Sequence, residues 1–265
     1  MTKHFVILAA LFSSVLCGCN VDVVLDPGTP VDKDFLIAGG YDSVDISNSF
    51  DVFVDKDATA VTVTAGENIM SRVIVEQVGG ELKIYCNPPV VSTSDAYLQA
   101  VIPHSTALKS VSVSGAGSFH SPRTITNNTV QVKLSGASSF SGSISANKTE
   151  VDLSGASRIT GKITADDMKL GLNGASVADI TGKAKNLELD FSGASRNEDN
   201  AALGKYGMEC TNCKGSVSGA SKAYIHCLNE IAVSLSGASS LHYTGDATTD
   251  KSSTSGASSI AHDRL

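Results

Sequence analysis

The chain has 265 residues, 42% of them hydrophobic, and carries a formal net charge of −7. An acidic chain with few aromatic residues and no basic stripe is not expected to bind nucleic acid. Its hydrophobic content is sufficient for a folded core, and its length suits one elongated domain.

Residues 1–18 are predicted to be a lipoprotein signal peptide. Lys3 supplies the positive charge, and residues 5–15 form an apolar run too short to span a bilayer. Residues 16–19, Leu-Cys-Gly-Cys, resemble a bacterial lipobox, which implies that Cys19 becomes the mature N-terminus and carries acyl chains. Asn20 follows where an aspartate would resemble a retention signal, so an outer-membrane destination is favoured. The alternatives are cleavage without lipid or a buried N-terminal segment.

Residues 19–34 are interpreted as the lipidated N-terminus and a tether, because Pro27, Gly28 and Pro30 favour turns. Residues 35–112 alternate apolar and polar positions over short runs, which is typical of β-strands. They could form irregular first coils of the fold that follows, or a small antiparallel cap. Either structure would cover an open sheet edge that otherwise promotes aggregation. We favour continuation into one fold.

In residues 113–265 the phrase Ser-Gly-Ala-Ser recurs, with Ser-Gly-Ala-Gly as the first copy and Asn-Gly-Ala-Ser as the fourth. The steps between central glycines are 21, 19, 19, 19, 26, 18 and 19 residues. A period near 19 indicates a solenoid in which each repeat is one coil. The central glycines are Gly115, Gly136, Gly155, Gly174, Gly193, Gly219, Gly237 and Gly256.

Each coil shows the pattern of a strand with one buried face. The positions two and four residues before the glycine are almost always apolar, as at Leu153 and Val151, and apolar residues return four residues after it, as at Ile159. Glycine suits a tight corner, because it lacks the Cβ that would clash with stacked backbone. We therefore predict a long strand, a Gly-Ala corner, and one or two shorter strands.

The polar positions of the strand support this register independently. If coils stack one period apart, Lys133 lies over Asp152, and Lys169 lies between Glu150 and Glu188. Such pairs stabilise by only about 0.2–1 kcal/mol each, so the charges are interpreted as a solvated outer face.

The fold class that follows is all-β. No window shows the helical spacing of apolar residues, and parallel strands joined by crossovers wind right-handed in nearly all proteins. The sequence predicts a right-handed parallel β-helix with about 19 residues per coil and an irregular N-terminal β region.

Three cysteines surround the irregular 26-residue step: Cys210, Cys213 and Cys227. Cys213 and Cys227 fall at inward positions, where cysteine packs as a small hydrophobic residue. A disulfide among the three is possible in an oxidising envelope, and its pairing is left open. Cys210 and Cys213 have metal-ligand spacing, but no second pair follows, so no metal site is predicted.

No catalytic constellation is recognised. The acidic pairs of the repeat, Asp166-Asp167 and Glu198-Asp199, are interpreted as solvated turns, and the histidines are scattered. The chain is therefore not expected to be an enzyme, and no cofactor is predicted.

The order of motifs resembles the head GIN domain family of putative auto-transporter adhesins, which is common in Bacteroidetes lipoproteins. The lipobox is followed by residues 41–46 (Tyr-Asp-Ser-Val-Asp-Ile), 50–54 (Phe-Asp-Val-Phe-Val), 61–68 (Val-Thr-Val-Thr-Ala-Gly-Glu-Asn) and 80–84 (Gly-Glu-Leu-Lys-Ile), then by the tandem repeats. The resemblance implies a β-helical surface or periplasmic lipoprotein, and it transfers no catalytic residue.

Three functions are considered. The first is a lipid-anchored envelope protein, an adhesin or binding module that presents flat β-helix faces to a glycan or protein partner. The second is a structural, self-associating envelope component, against which the polar final coil argues. The third and least favoured is a β-helix polysaccharide lyase or hydrolase. The expected location is the outer membrane, facing either the cell surface or the periplasm.

Overall fold

The computed structural model describes residues 22–24, 26–92, 97–198, 200 and 206–264. The predicted signal peptide, Cys19 and Asp199 lie outside these residues. Apart from one short helix, α1 (Glu67–Met70), the regular structure is β-strand. The strands before the repeat are β1 (Asp22–Val24), β2 (Pro30–Phe35), β3 (Ser43–Ile46), β4 (Asp51–Asp55), β5 (Val61–Gly66), β6 (Val73–Val78), β7 (Glu81–Cys86), β8 (Val90–Ser92) and β9 (Gln99–Pro103).

The repeat forms a stack of parallel coils, as predicted. Neighbouring strands pair with an offset of one period, for example Gln131 with Glu150 and Glu150 with Lys169. Lys169 also pairs with Glu188, so the register inferred from the charges is confirmed. The strands of the repeat are β10 (Ser110–Val113), β11 (Ser118–His120), β12 (Ile125–Leu134), β13 (Ser139–Leu153), β14 (Arg158–Leu172), β15 (Val177–Phe191), β16 (Arg196–Asn197), β17 (Met208–Val217), β18 (Lys222–Leu235), β19 (Ser240–Thr244), β20 (Ser253–Thr254) and β21 (Ser259–His262).

The Gly-Ala corners lie in one column along the stack. All eight corner glycines have φ between 70° and 84°. From the second corner onward, the alanine after the glycine donates its N–H to the glycine carbonyl of the previous coil, as in Ala156 to Gly136 at 2.7 Å. A Cβ on Gly155 would lie 2.4 Å from the Gly136 oxygen, so the corner requires glycine for two independent reasons.

The corner column divides the stack into two walls. We call the strand residues immediately before each corner glycine, such as 150–153, the first wall. Those immediately after it, such as 158–165, form the second wall. Between corners, β13, β14 and β15 each run without interruption for 15 residues. The separate short strands expected after the corner are therefore joined to the next long strand, because pairing with adjacent coils continues around the bend.

The core runs along the inside of the stack. The predicted inward positions, such as Leu153, Val151 and Ile159, are at most 1% exposed. Phe119 and Phe140 stack with ring centroids 5.6 Å apart. In the second to seventh phrases the last serine is also buried, and its hydroxyl donates to backbone oxygens, as in Ser157 to Ser154 at 2.7 Å. The internal serines are thus part of the corner's structure.

The N-terminal region continues the same stack and also caps it. In the first wall β3 lies parallel to β10 on one side and β7 on the other, and β6 closes the edge antiparallel to β7. In the second wall β4 lies parallel to β11 and β9, followed by antiparallel β5 and β2. These N-terminal strands thus belong to the same sheet as the strands of the repeat, and the outermost of them are antiparallel.

The fold includes part of the segment interpreted as a tether. Residues 30–35 form β2, which pairs antiparallel with β5, and Asp22–Val24 pair with Val90–Ser92. The folded region therefore begins before residue 35. Within the described residues, no helix has the length and apolar character needed to cross a bilayer.

A corner without glycine precedes the repeat. Asn48 adopts φ 69° and accepts a hydrogen bond from the Ala116 N–H at 2.9 Å, the role that glycine carbonyls play in later coils. Asparagine tolerates the left-handed region better than most residues. The corner column thus extends one coil further than the repeated phrase.

Candidate binding groove

A groove of about 660 Å³ runs along the outer face of the first wall. Its floor is formed by Met168, Leu187 and Cys213, which are each at most 2% exposed. Two columns of polar side chains rise on either side of this floor. We call them the amide column and the charged column, and the groove takes its chemistry from them.

The amide column lies where the second wall bends into the first. Its members are hydrogen-bonded from coil to coil: Asn186 donates to Asp167 at 2.8 Å, Asn212 donates to Asn186 at 3.1 Å, and Asn229 donates to Asn212 at 2.7 Å. An amide has two donors and two acceptor lone pairs, so Asn186 and Asn212 each keep hydrogen-bonding capacity for a ligand. The column is Asp167, Asn186, Asn212 and Asn229.

The charged column alternates in sign along the stack. Lys214 lies 3.0 Å from Glu188, and Gln131 donates to Glu150 at 3.2 Å. The side chains that line the groove include three lysines and four carboxylates, so their formal charges almost cancel. Exposed pairs of this kind contribute little to stability, and the column mainly gives the groove a polar wall. The column is Glu150, Lys169, Glu188 and Lys214.

A smaller depression of about 300 Å³ lies on the same wall, nearer to the corners. Asp152 lines it, with Lys133 of the previous coil beside it. Burial raises the pKa of the Asp152 carboxyl, and the neighbouring Glu150 charge acts in the same direction. Asp45 occupies the corresponding position in the N-terminal region, and its pKa is likewise raised by burial.

The second wall brings together a serine, a histidine and an aspartate that sequence reasoning did not connect. Ser118 Oγ lies 2.5 Å from Asp51 Oδ1 and 2.8 Å from His120 Nε2, and Phe53 stacks on the His120 ring. In a catalytic triad the carboxylate orients the histidine. Here it contacts the serine, so this arrangement does not activate a nucleophile in that manner.

A second cluster lies near the C-terminal end. Asp263 accepts hydrogen bonds from Tyr206 at 2.6 Å and from His242 at 2.9 Å, and His242 stacks on Tyr224. The Tyr206 hydrogen bond, followed by that of His242, lowers the pKa of the Asp263 carboxyl. The cluster holds the end of the chain against the coils before it. Tyr206 lies within the irregular step from Gly193 to Gly219, so repeat positions alone do not predict the cluster.

The remaining predicted site residues are placed as follows. Cys210, Cys213 and Cys227 are buried free thiols. Asp166 and Asp167 are exposed, in keeping with the solvated position expected, although they lie within β14. In the described part of the chain, no group of three histidine, cysteine or acidic side chains is arranged to hold a metal ion.

Comparison with known proteins finds one matching family model and several solved structures with a similar fold. A family model described as "Putative auto-transporter adhesin, head GIN domain" matches residues 40–247. The chain is similar to the crystal structure of a putative adhesin from Parabacteroides merdae, with TM-score 0.79, 15% identity, and 92% of this chain and 100% of that chain covered.

Two proteins from Parabacteroides distasonis are also similar, each at 18% identity over 92% of this chain. One is a putative adhesin, with TM-score 0.72 and 98% of its chain covered. The other is a putative lipid binding protein, with TM-score 0.71 and 100% covered. At these identities the likeness shows the fold alone. No curated protein matches the sequence.

Proposed function

Because the chain belongs to the head GIN domain family of putative auto-transporter adhesins, we propose that it is a non-catalytic binding module of the cell envelope. We place its binding site in the groove on the first wall. The observation that carries this proposal is the amide column, which presents hydrogen-bonding groups at successive coils along the groove.

A linear glycan suits the groove better than a charged polymer. Hydroxyl groups both donate and accept, so a row of sugar units can pair with a row of amides. The lining charges almost cancel, which leaves no strong field to attract a polyanion or a polycation. An extended segment of a protein partner is the alternative ligand, since its backbone also offers alternating donors and acceptors.

Binding to a glycan array tests this assignment, using purified protein that lacks residues 1–19. We expect the double variant Asn186→Ala/Asn212→Ala to bind at least about tenfold more weakly, from the loss of two hydrogen bonds. The matched control is Thr160→Ala/Lys162→Ala on the second wall. Equal binding by both variants would place the site elsewhere, and an array without any hit would favour a protein ligand.

The proposed attachment to the membrane is through lipid on Cys19. Support comes from Lys3, the apolar run over residues 5–15 and the residues around the cysteine. The paired strand β1 begins three residues after Cys19, so such an anchor would hold the N-terminal cap close to the bilayer. Asn20 supports an outer-membrane location.

Fractionation of cells tests the anchor. Cys19→Ala should move the protein from the membrane fraction to the soluble fraction, with Cys86→Ala as a control at a buried thiol outside the anchor. Retention of Cys19→Ala in the membrane fraction would contradict the proposal.

Self-association is the second candidate function, and one observation supports it. Among the described strands, β21 pairs with β19 alone and β20 with β18 alone, so one edge of each can accept another strand. Light scattering over a range of concentrations tests this possibility, and a monomer at every concentration would remove it.

A further inference from the structure

We propose that Cys210 and Cys227 form a disulfide between adjacent coils, with Cys213 remaining a thiol. The inference rests on the proposed envelope location, because disulfides persist in oxidising compartments. In the structure the two cysteines are register partners on β17 and β18, and both thiols are free. They are 1% and 0% exposed, on the inner side of the stack.

The backbone positions suit this bond. Register partners on neighbouring strands lie about 4.8 Å apart, and the Cα atoms of disulfides are usually 4.4–6.8 Å apart. No movement of one coil relative to the next is therefore needed. The pair lies beside a register shift between Cys210 and Asn212, at the end of the 26-residue step from Gly193 to Gly219. A covalent bond here would fix the most irregular junction of the repeat.

Cys213 is the competing partner for Cys210. It lies three residues further along β17 and pairs in register with Leu187 and Ile231, not with a cysteine. The thiols of Cys210 and Cys213 share a hydrogen bond, and so do those of Cys210 and Cys227, so both cysteines are close enough to compete for Cys210. A bond between Cys210 and Cys213 would close a loop of only a few residues within one strand. The bond between Cys210 and Cys227 joins adjacent coils and constrains a longer segment of the unfolded chain, so we expect it to be the more stabilising of the two.

The folded thiols are poor nucleophiles. The hydrogen bond with Cys213, together with burial, raises the pKa of the Cys210 thiol, although the hydrogen bond with Cys227 opposes this shift. The hydrogen bond with Cys210, followed by burial, raises the pKa of the Cys227 thiol. Since thiolates perform thiol–disulfide exchange, we expect the bond to form before these coils close. The oxidant must then act on the exported, incompletely folded chain.

The exchange balances with an external disulfide as oxidant, from a small molecule or a dithiol oxidoreductase. One cysteine thiolate attacks that disulfide, forms a mixed disulfide and releases one thiol. The second cysteine thiolate attacks the mixed disulfide at the protein sulfur and releases the other thiol. Two protein thiols are oxidised, the external disulfide is reduced to two thiols, and the two cysteine protons pass to solvent and the leaving thiolates.

Tryptic mapping without reduction tests the pairing. Lysines at 205, 214, 222 and 251 release peptide 206–214, which contains Cys210 and Cys213, and peptide 223–251, which contains Cys227. After alkylation of free thiols in denaturant, we expect protein isolated from the envelope to yield these peptides linked. Reduction should separate them and lower the unfolding midpoint by roughly 6–12 °C.

Two variants distinguish the partners. Cys213→Ala should retain the linked peptides, and Cys210→Ala should lose them. A link that persists in Cys210→Ala, or an internal disulfide in peptide 206–214, would each overturn the pairing.

Refolding in a glutathione redox buffer separates this inference from the proposed location. If the link forms on refolding but is absent from protein taken from cells, the pairing stands and the envelope location fails. If it forms in neither sample, the pairing itself is wrong.

Discussion

The cap (residues 26–109) and the repeat (residues 110–264) share the same columns of equivalent positions but differ in the order in which their strands stack. In the repeat, β12, β13, β14 and β15 stack in chain order. In the cap, the first wall runs β6, β7 and β3, and β3 then pairs with β10 of the repeat, so the later strand β7 lies outside the earlier strand β3. In this solenoid, equivalent positions of neighbouring strands are therefore aligned even where the strands do not stack in the order in which they occur along the chain.

The difference also changes what each region does at its edge. Parallel coils leave an edge that can accept another strand, whereas the cap ends in the antiparallel strands β6 and β2. The edge strand β2 carries Asp32, Lys33 and Asp34, and charged edge strands discourage further pairing. The N-terminal end is therefore closed by topology and charge, and the repeat supplies length.

The largest expected effect tests whether the two regions share one core. Phe50 in the cap and Phe140 in the repeat are at most 1% exposed and belong to one continuous cluster of buried residues. Phe50→Ala and Phe140→Ala should each lower the free energy of unfolding by about 3–5 kcal/mol. Both should shift a single urea transition, followed by circular dichroism and by tyrosine fluorescence, since the chain has no tryptophan.

The matched controls are Phe50→Leu and Phe140→Leu, which keep most of the volume and should lower stability by less than about 1.5 kcal/mol. Two separate transitions, with Phe50→Ala shifting only one of them, would show that the cap is an independent domain.

The sequence predicted the repeat well because its signals are local. Period-two alternation identifies the buried face, and a fixed glycine spacing identifies the corner. The same signals fail in the cap, because alternation shows which face is buried but not which strand lies next to it. The Asn48 corner was missed because no glycine marks it, although asparagine is a known alternative in left-handed backbone.

The groove was predicted only in part. The charged column followed from the spacing of Glu150, Lys169 and Glu188, but as a solvated face. Asp167, Asn186 and Asn212 each lie seven residues before a corner glycine, but only the apolar and charged positions of the period were interpreted from the sequence, and this polar column was missed. Asn229 lies eight residues before its glycine, so its contact with Asn212 depends on the register shift between β17 and β18, which no local pattern specifies.

A smaller effect sharpens the role of the corner. Gly155→Ala should lower the free energy of unfolding by about 1–3 kcal/mol or more, because it combines a left-handed φ of 74° with a Cβ placed 2.4 Å from a backbone oxygen. Gly79 in the cap has φ 59° but nothing within 4 Å of an added Cβ. Gly79→Ala therefore measures only the cost of placing a side chain on left-handed backbone, about 1 kcal/mol, without a steric clash.

Thermal and urea unfolding of both variants gives the difference between them. If Gly155→Ala destabilised no more than Gly79→Ala, close stacking of the corners would not be what requires glycine there.

The smallest effect compares one column position in both regions. Burial raises the pKa of Asp45 in the cap, with Glu81 adding to it and Lys83 opposing it. Burial also raises the pKa of Asp152 in the repeat, above the usual value of 3.8. A raised folded-state pKa means that ionisation lowers stability as pH rises above 3.8, and that this loss is absent well below it.

Asp45→Asn and Asp152→Asn should therefore each be more stable than the parent chain at pH 7, by less than about 1 kcal/mol because these side chains are partly solvated. The advantage should disappear by about pH 3, where aspartate is neutral in both states. Urea midpoints at the two pH values measure it, and Asp166→Asn at an exposed position controls for the change in net charge. An advantage for Asp152→Asn alone would mean that the cap solvates this position differently, so that the two regions share register without sharing environment.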